Sequence, residues 1–189
     1  MAQGSGLDVF RNFLDQYRRL IVVAVGASAV PLAAALSSLT PAWPSGIAGL
    51  TAVAQLLVLA LVFQLLASSR RAVVSRIMIR STIALCLLLP VYFFLLSLFT
   101  YAEPASKERF TKGYECTAGA KILFESTCPF LGRDELKKAE YDEERLWTVQ
   151  SVSVIKSLIL SVWLACFAAL STALGSFAVF QMKKQHRAG

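Results

Sequence analysis

Four stretches of the chain carry almost nothing but apolar and small residues: 20–39, 47–67, 82–101 and 151–182. A helix rises about 1.5 Å per residue, so a hydrocarbon core of about 30 Å is crossed by about 20 of them. Each stretch meets that length, and the pattern predicts four transmembrane helices. Backbone groups inside a bilayer must bond within their own structure, and no stretch shows the alternation of a barrel strand, so helices are the remaining solution. The last stretch also has a patterned surface. Ala165, Ala169 and Ala173 recur every four residues beside a second row of Ala168, Thr172 and Ser176. Small residues at that spacing let two helix backbones approach closely, which makes these six the expected helix-packing residues.

The segments between the runs are patterned differently. Within residues 1–19, Phe10, Phe13, Leu14 and Tyr17 fall at helical spacing among Asp8, Arg11, Asp15 and Arg18, the signature of a cytoplasmic helix lying in the membrane interface. The Arg18-Arg19 pair, the apolar run after it and the Ala33-Ala34-Ala35 triplet also suit a signal peptide with a small-residue cleavage site. The run continues past the triplet, which favours an uncleaved first span. Pro41, Trp43, Pro44 and Gly46 predict a tight turn that sets the first two helices side by side. The second span holds Gln55 and Gln64, nine positions apart and therefore on opposite faces of a straight helix. An amide in hydrocarbon is costly without a partner, so each is a candidate for an interhelical hydrogen bond or a pore wall. A basic link covers 68–81, and the third span, rich in Leu and Phe with a central Pro90, reads as lipid-facing.

Composition sharpens the class. The chain is 56% hydrophobic with a mean hydropathy of +0.59, whereas soluble domains are about 45 to 50% apolar. The net charge of +7 would suit a nucleic-acid binder if it were clustered on one domain. Instead Arg11, Arg18, Arg19, Arg70, Arg71, Arg76, Arg80, Lys183, Lys184 and Arg187 flank the spans, and the link 40–46 has no charge. That asymmetry predicts cytoplasmic N- and C-termini, a basic cytoplasmic tail at 183–189 and an extracytoplasmic segment at 102–150. The expected partner of the basic residues is the anionic headgroup layer of the lipid bilayer, with no nucleic acid.

Cys116 and Cys128 both lie in the extracytoplasmic segment, where thiols are oxidised, so a disulfide between them is expected. Gly113, Gly119, Pro129 and Gly132 around the pair suggest a compact knot, with Ile122, Leu123, Phe124, Phe130 and Leu131 as its apolar cluster. From Asp134 to Trp147 the chain is charged and helix-favouring, and a helix running on into the last span is expected. Leu136, Tyr141, Leu146 and Trp147 could pack on the knot. The carboxylates of this stretch lack the order of a calcium loop.

Chemistry is sparse elsewhere. The single histidine is His186, in the tail, and no nucleophile elbow, zinc-binding His-Glu-x-x-His or phosphate loop occurs. Lys156 is ionisable but near the end of its span, where it can snorkel. The four-helix DsbB and vitamin K epoxide reductase families use a Cys-x-x-Cys pair that is absent here, and the Cys-Cys-Gly signature of tetraspanins is absent too. The expectation is an all-α integral membrane protein: four transmembrane helices, an interfacial N-terminal helix and a small disulfide-stapled extracytoplasmic domain. No catalytic residue, metal site or cofactor is expected. A bacterial inner (plasma) membrane suits the short links and the oxidised Cys pair. Its expected mode of action is non-enzymatic, through assembly and partner binding by the oxidised loop, either as a homo-oligomer or with another membrane protein. The alternative is an oligomeric channel or membrane-permeabilising effector using Gln55 or Gln64.

Overall fold

A computed structural model describes residues 22, 25–27, 29–37, 39–102, 109–124, 127–140 and 142–185. It is mostly helical, in the order α1 (Val25–Leu36), α2 (Ile47–Ala67), α3 (Arg71–Phe99), β1 (Thr100–Ala102), β2 (Arg109–Thr111), α4 (Ala118–Leu123), α5 (Arg133–Lys138), α6 (Glu143–Leu146) and α7 (Val149–Gln185). Three helices are long and apolar enough to cross a membrane: α2, α3 and residues Val149–Lys183 of α7. These are the marks of a membrane protein. Within the first expected span the described residues show the apolar helix α1, and the residues before it lie largely outside the described ones. The expected interfacial helix of residues 1–19 lies outside the described residues.

The chain forms two compact units, one of residues 1–40, 48–86 and 166–189 and the other of 41–47 and 87–165. In the first unit α2 and α7 run in the same direction in close contact. A Cβ on Gly175 would lie 2.9 Å from Val62 Cγ1 and 3.2 Å from Leu59 Cδ1, so glycine is what lets the backbones come this near. Two turns further along α7, Lys183 Nζ donates to the carbonyl of Leu66 at 3.0 Å and also to that of Ser69, tying α7 to the C-terminal end of α2 and the residues just after it. The Arg71 guanidinium lies 4.4 Å from the centre of the Phe180 ring. Leu66, Val74 and Val179 make the buried cluster at this end.

The basic link expected at 68–81 is mostly the opening of α3, which starts at Arg71 and runs unbroken through Pro90 to Phe99. With no glycine or proline before Pro90, nothing in that stretch stops the helix.

The second unit contains the segment between α3 and α7. Two short strands, not expected from an all-α reading, pair antiparallel with Tyr101 opposite Phe110. Thr117 caps α4, its Oγ1 accepting from Ala120 N at 3.2 Å. The helix expected to run from Asp134 into the last span is broken. α5 ends at Lys138, Glu140 takes a left-handed φ of 56°, and Asp142 starts α6 by accepting from Glu144 N at 3.0 Å. Asp142 favours a new N-terminus over a helix interior, because its short carboxylate competes for nearby backbone N–H groups.

Candidate functional site

The disulfide expected from sequence is present: Cys116 and Cys128 are bonded, with their Cα atoms 6.3 Å apart. Cys116 is buried with Ala120, Leu131, Leu136, Leu146, Trp147 and Val152, and Tyr101 and Phe124 pack against this core. Trp147 is fully buried, and its Nε1 donates to the carbonyl of Pro129 at 3.0 Å, so the largest side chain of the core also satisfies its one polar atom. Gly113 lies against this tryptophan; a Cβ there would come within 2.7 Å of Trp147 Cβ.

Backbone and side-chain bonds tie the disulfide hairpin to the start of α7. Thr148 N donates to Glu115 O at 3.0 Å, Thr117 N to Leu146 O at 3.0 Å, and Thr117 Oγ1 to Arg145 O at 2.7 Å. Ser151 Oγ lies 3.1 Å from Glu115 O. Lys112 Nζ donates to Leu131 O at 3.1 Å, and burial pulls its ammonium below the ordinary lysine pKa. Lys156, expected to snorkel, forms an ion pair with Glu143 at 2.7 Å, joining α7 to α6.

The apolar cluster expected for the knot divides. Phe124 and Leu131 join the core, whereas Phe130 is exposed and the α4 pair Ile122 and Leu123 is 83% and 75% exposed. α4 is anchored directly behind the disulfide, so this apolar pair stands on a fixed support. Leu136, Leu146 and Trp147 pack on the core as expected, and Tyr141 lies outside the described residues.

On α7, Ser176 is buried, and Ala165, Ala168, Ala169, Thr172 and Ala173 are half-buried. The most buried line runs through Ile159, Trp163, Phe167, Ser171, Gly175 and Val179, nearly opposite the Ala165–Ala173 row. The pair missed by sequence reasoning is Ser171 and Gly175. They carry a small-x-x-x-small signal of their own and include the only glycine of that span.

Gln55 and Gln64 point to different environments. Gln55 belongs to a buried line of α2 with Thr51 and Leu59, is 2% exposed, and its Nε2 and Oε1 have no hydrogen-bond partner among the described residues. One turn before the Leu59–Gly175 contact, Gln55 and Ser171 occupy corresponding positions on α2 and α7. Ser171 Oγ is likewise unpartnered and fully buried, although Thr172 and Ser176 return their hydroxyls to carbonyls one turn earlier, at 2.7 and 2.6 Å. Gln64 is exposed on the other side of α2.

The chain matches no known protein family, no curated protein and no solved structure.

Proposed function

We propose that this chain is a non-enzymatic multi-pass protein of a bacterial inner membrane, crossing it four times with both termini cytoplasmic, that acts by binding a protein partner through its oxidised loop domain. The observation that supports this reading is the exposed Ile122–Leu123 pair on a helix anchored by the Cys116–Cys128 disulfide. Exposed apolar side chains in water favour association. A pre-ordered support lowers the entropy lost on binding, and a free loop would have no such advantage. The test is a photo-crosslinking side chain placed at Ile122 or Leu123 in the full-length protein in its native membrane, with Glu144, exposed on α6, as the control position. One discrete protein adduct at the first two positions and none at the control is expected. Adducts to lipid alone, or equal labelling at all three positions, would sink the idea.

A second reading, an oligomeric channel, is favoured by Gln64. An amide on an exposed face of an otherwise apolar helix gains most if copies of the chain surround a wet path. Gln55, buried within the protomer, is less suited to that wall. Purified protein that forms a closed ring and conducts in single-channel recordings would establish this reading. A silent monomer would remove it.

A further inference from the structure

Five basic side chains are described in the unit comprising residues 1–40, 48–86 and 166–189: Arg71 and Lys183, which are engaged, and Arg70, Arg76 and Arg80, which are exposed. Arg71 lies over Phe180, and Lys183 is bound to the carbonyls of Leu66 and Ser69, so both are engaged in holding α2, α3 and α7 together. Arg76 and Arg80 have neither an ion pair nor a hydrogen bond with any described residue, and both are exposed. One turn apart on α3, they share a face. Ile83, seven positions beyond Arg76, returns to within about 20° of it around the helix, and Ile79 flanks the same line. These isoleucines are 55% and 52% exposed. An exposed apolar strip therefore begins where two unpaired guanidinium groups end.

No Asp or Glu occurs at residues 48–86 or 166–185, so this part of the unit offers the two arginines no counter-charge. The guanidinium fork matches phosphate geometry, and a guanidinium at the edge of the hydrocarbon region meets lipid phosphate there. We infer that Arg76, Arg80, Ile79 and Ile83 form a binding site for one anionic phospholipid, its phosphate held between the two guanidinium groups and an acyl chain lying along the isoleucines. The inference rests on the membrane character of α3 and is independent of the partner proposed for the loop domain. The competing occupant is the chain's own N-terminal segment, which carries Asp8 and Asp15.

Cys86 provides the probe, because it is exposed and lies on α3 with the site, whereas the other free cysteine among the described residues, Cys166 on α7, is buried. The full-length protein, labelled at Cys86 with an environment-sensitive fluorophore, is reconstituted in phosphatidylcholine vesicles doped with brominated phosphatidylglycerol or, in parallel, brominated phosphatidylcholine. Stronger quenching by the glycerol lipid is expected, with a local enrichment of up to roughly thirtyfold from two basic groups. Arg76→Gln/Arg80→Gln should abolish the enrichment while leaving helical content and detergent melting temperature unchanged. Arg76→Lys/Arg80→Lys should keep part of it.

Equal quenching by the two lipids, or an enrichment that survives the double Gln variant, would overturn the site. So would an enrichment that appears only in Asp8→Asn/Asp15→Asn, because the protein's own segment would then be the occupant. Loss of the enrichment on adding inorganic phosphate would identify a free anion as the ligand, and that too overturns it.

Discussion

The unit of residues 41–47 and 87–165 and that of residues 1–40, 48–86 and 166–189 are held together by opposite means. In the former, directional bonds reach far along the sequence: the Cys116–Cys128 disulfide, Trp147 Nε1 on Pro129 O, Lys112 on Leu131 O and Lys156 on Glu143. In the latter, shape dominates along the helices, with the Lys183 bonds to the Leu66 and Ser69 carbonyls confined to one end. The Gly175 backbone fits against Leu59 and Val62, and the hydroxyls of Thr172 and Ser176 bond within their own helix. The contrast follows from the solvent each set of residues suits. Apolar helices in lipid gain little from burying more apolar surface, so close packing must supply the attraction. A small water-exposed fold has too little core to rely on burial alone, and a disulfide makes up the difference.

The comparison breaks most sharply at Trp147. Trp147→Ala removes a fully buried side chain and strands the Pro129 carbonyl, a loss of about 3 to 5 kcal/mol. Limited proteolysis should then cut between Thr100 and Thr148 while the helical circular dichroism of the spans is kept. If the loop segment resists protease as before, its core does not depend on the tryptophan.

A smaller effect is expected at the helix contact. Gly175→Leu forces α2 and α7 apart and should cost about 1 to 3 kcal/mol, read as a lower melting temperature in mild detergent with the loop segment still protected. Gly175→Ala should cost less, since the nearest atom, Val62 Cγ1, belongs to a side chain that can shift. An unchanged melting point in the Leu variant would mean that the two helices do not meet at Gly175.

The smallest effect has the opposite sign. Gln55→Leu replaces a buried amide that lacks a partner with an apolar side chain of similar size, and should stabilise the protein by about 1 kcal/mol. A loss of stability in the same detergent assay would show that the amide makes a bond that matters.

Much of the helical layout was legible from apolar run length, because a 20-residue run has one economical solution in hydrocarbon. The runs at 47–67 and 82–101 correspond to α2 and to the second part of α3, and the last run to α7. The disulfide was legible because only two cysteines share the loop segment. The break at Glu140 was less visible, since the charged residues around it all favour a helix, and the cap at Asp142 decides only once α6 packs Leu146 into the core.

By itself, then, the sequence determined properties that depend on neighbours along the chain: the apolar helices, the Cys pair, the opposite faces of Gln55 and Gln64. Tertiary structure alone decided which row of α7 is the contact, because the buried line through Ser171 and Gly175 is chosen by the shape of α2 and not by the number of alanines on another face. It decided that Ile122 and Leu123 face outward while Leu131 goes inside, and that Lys156 finds Glu143. It also sorted the arginines: Arg71 has Phe180 within reach, and Arg76 and Arg80 stand on a face where this chain presents no carboxylate among the described residues. Each of these outcomes joins residues distant in sequence, and the local pattern of apolar and polar positions does not specify such pairings.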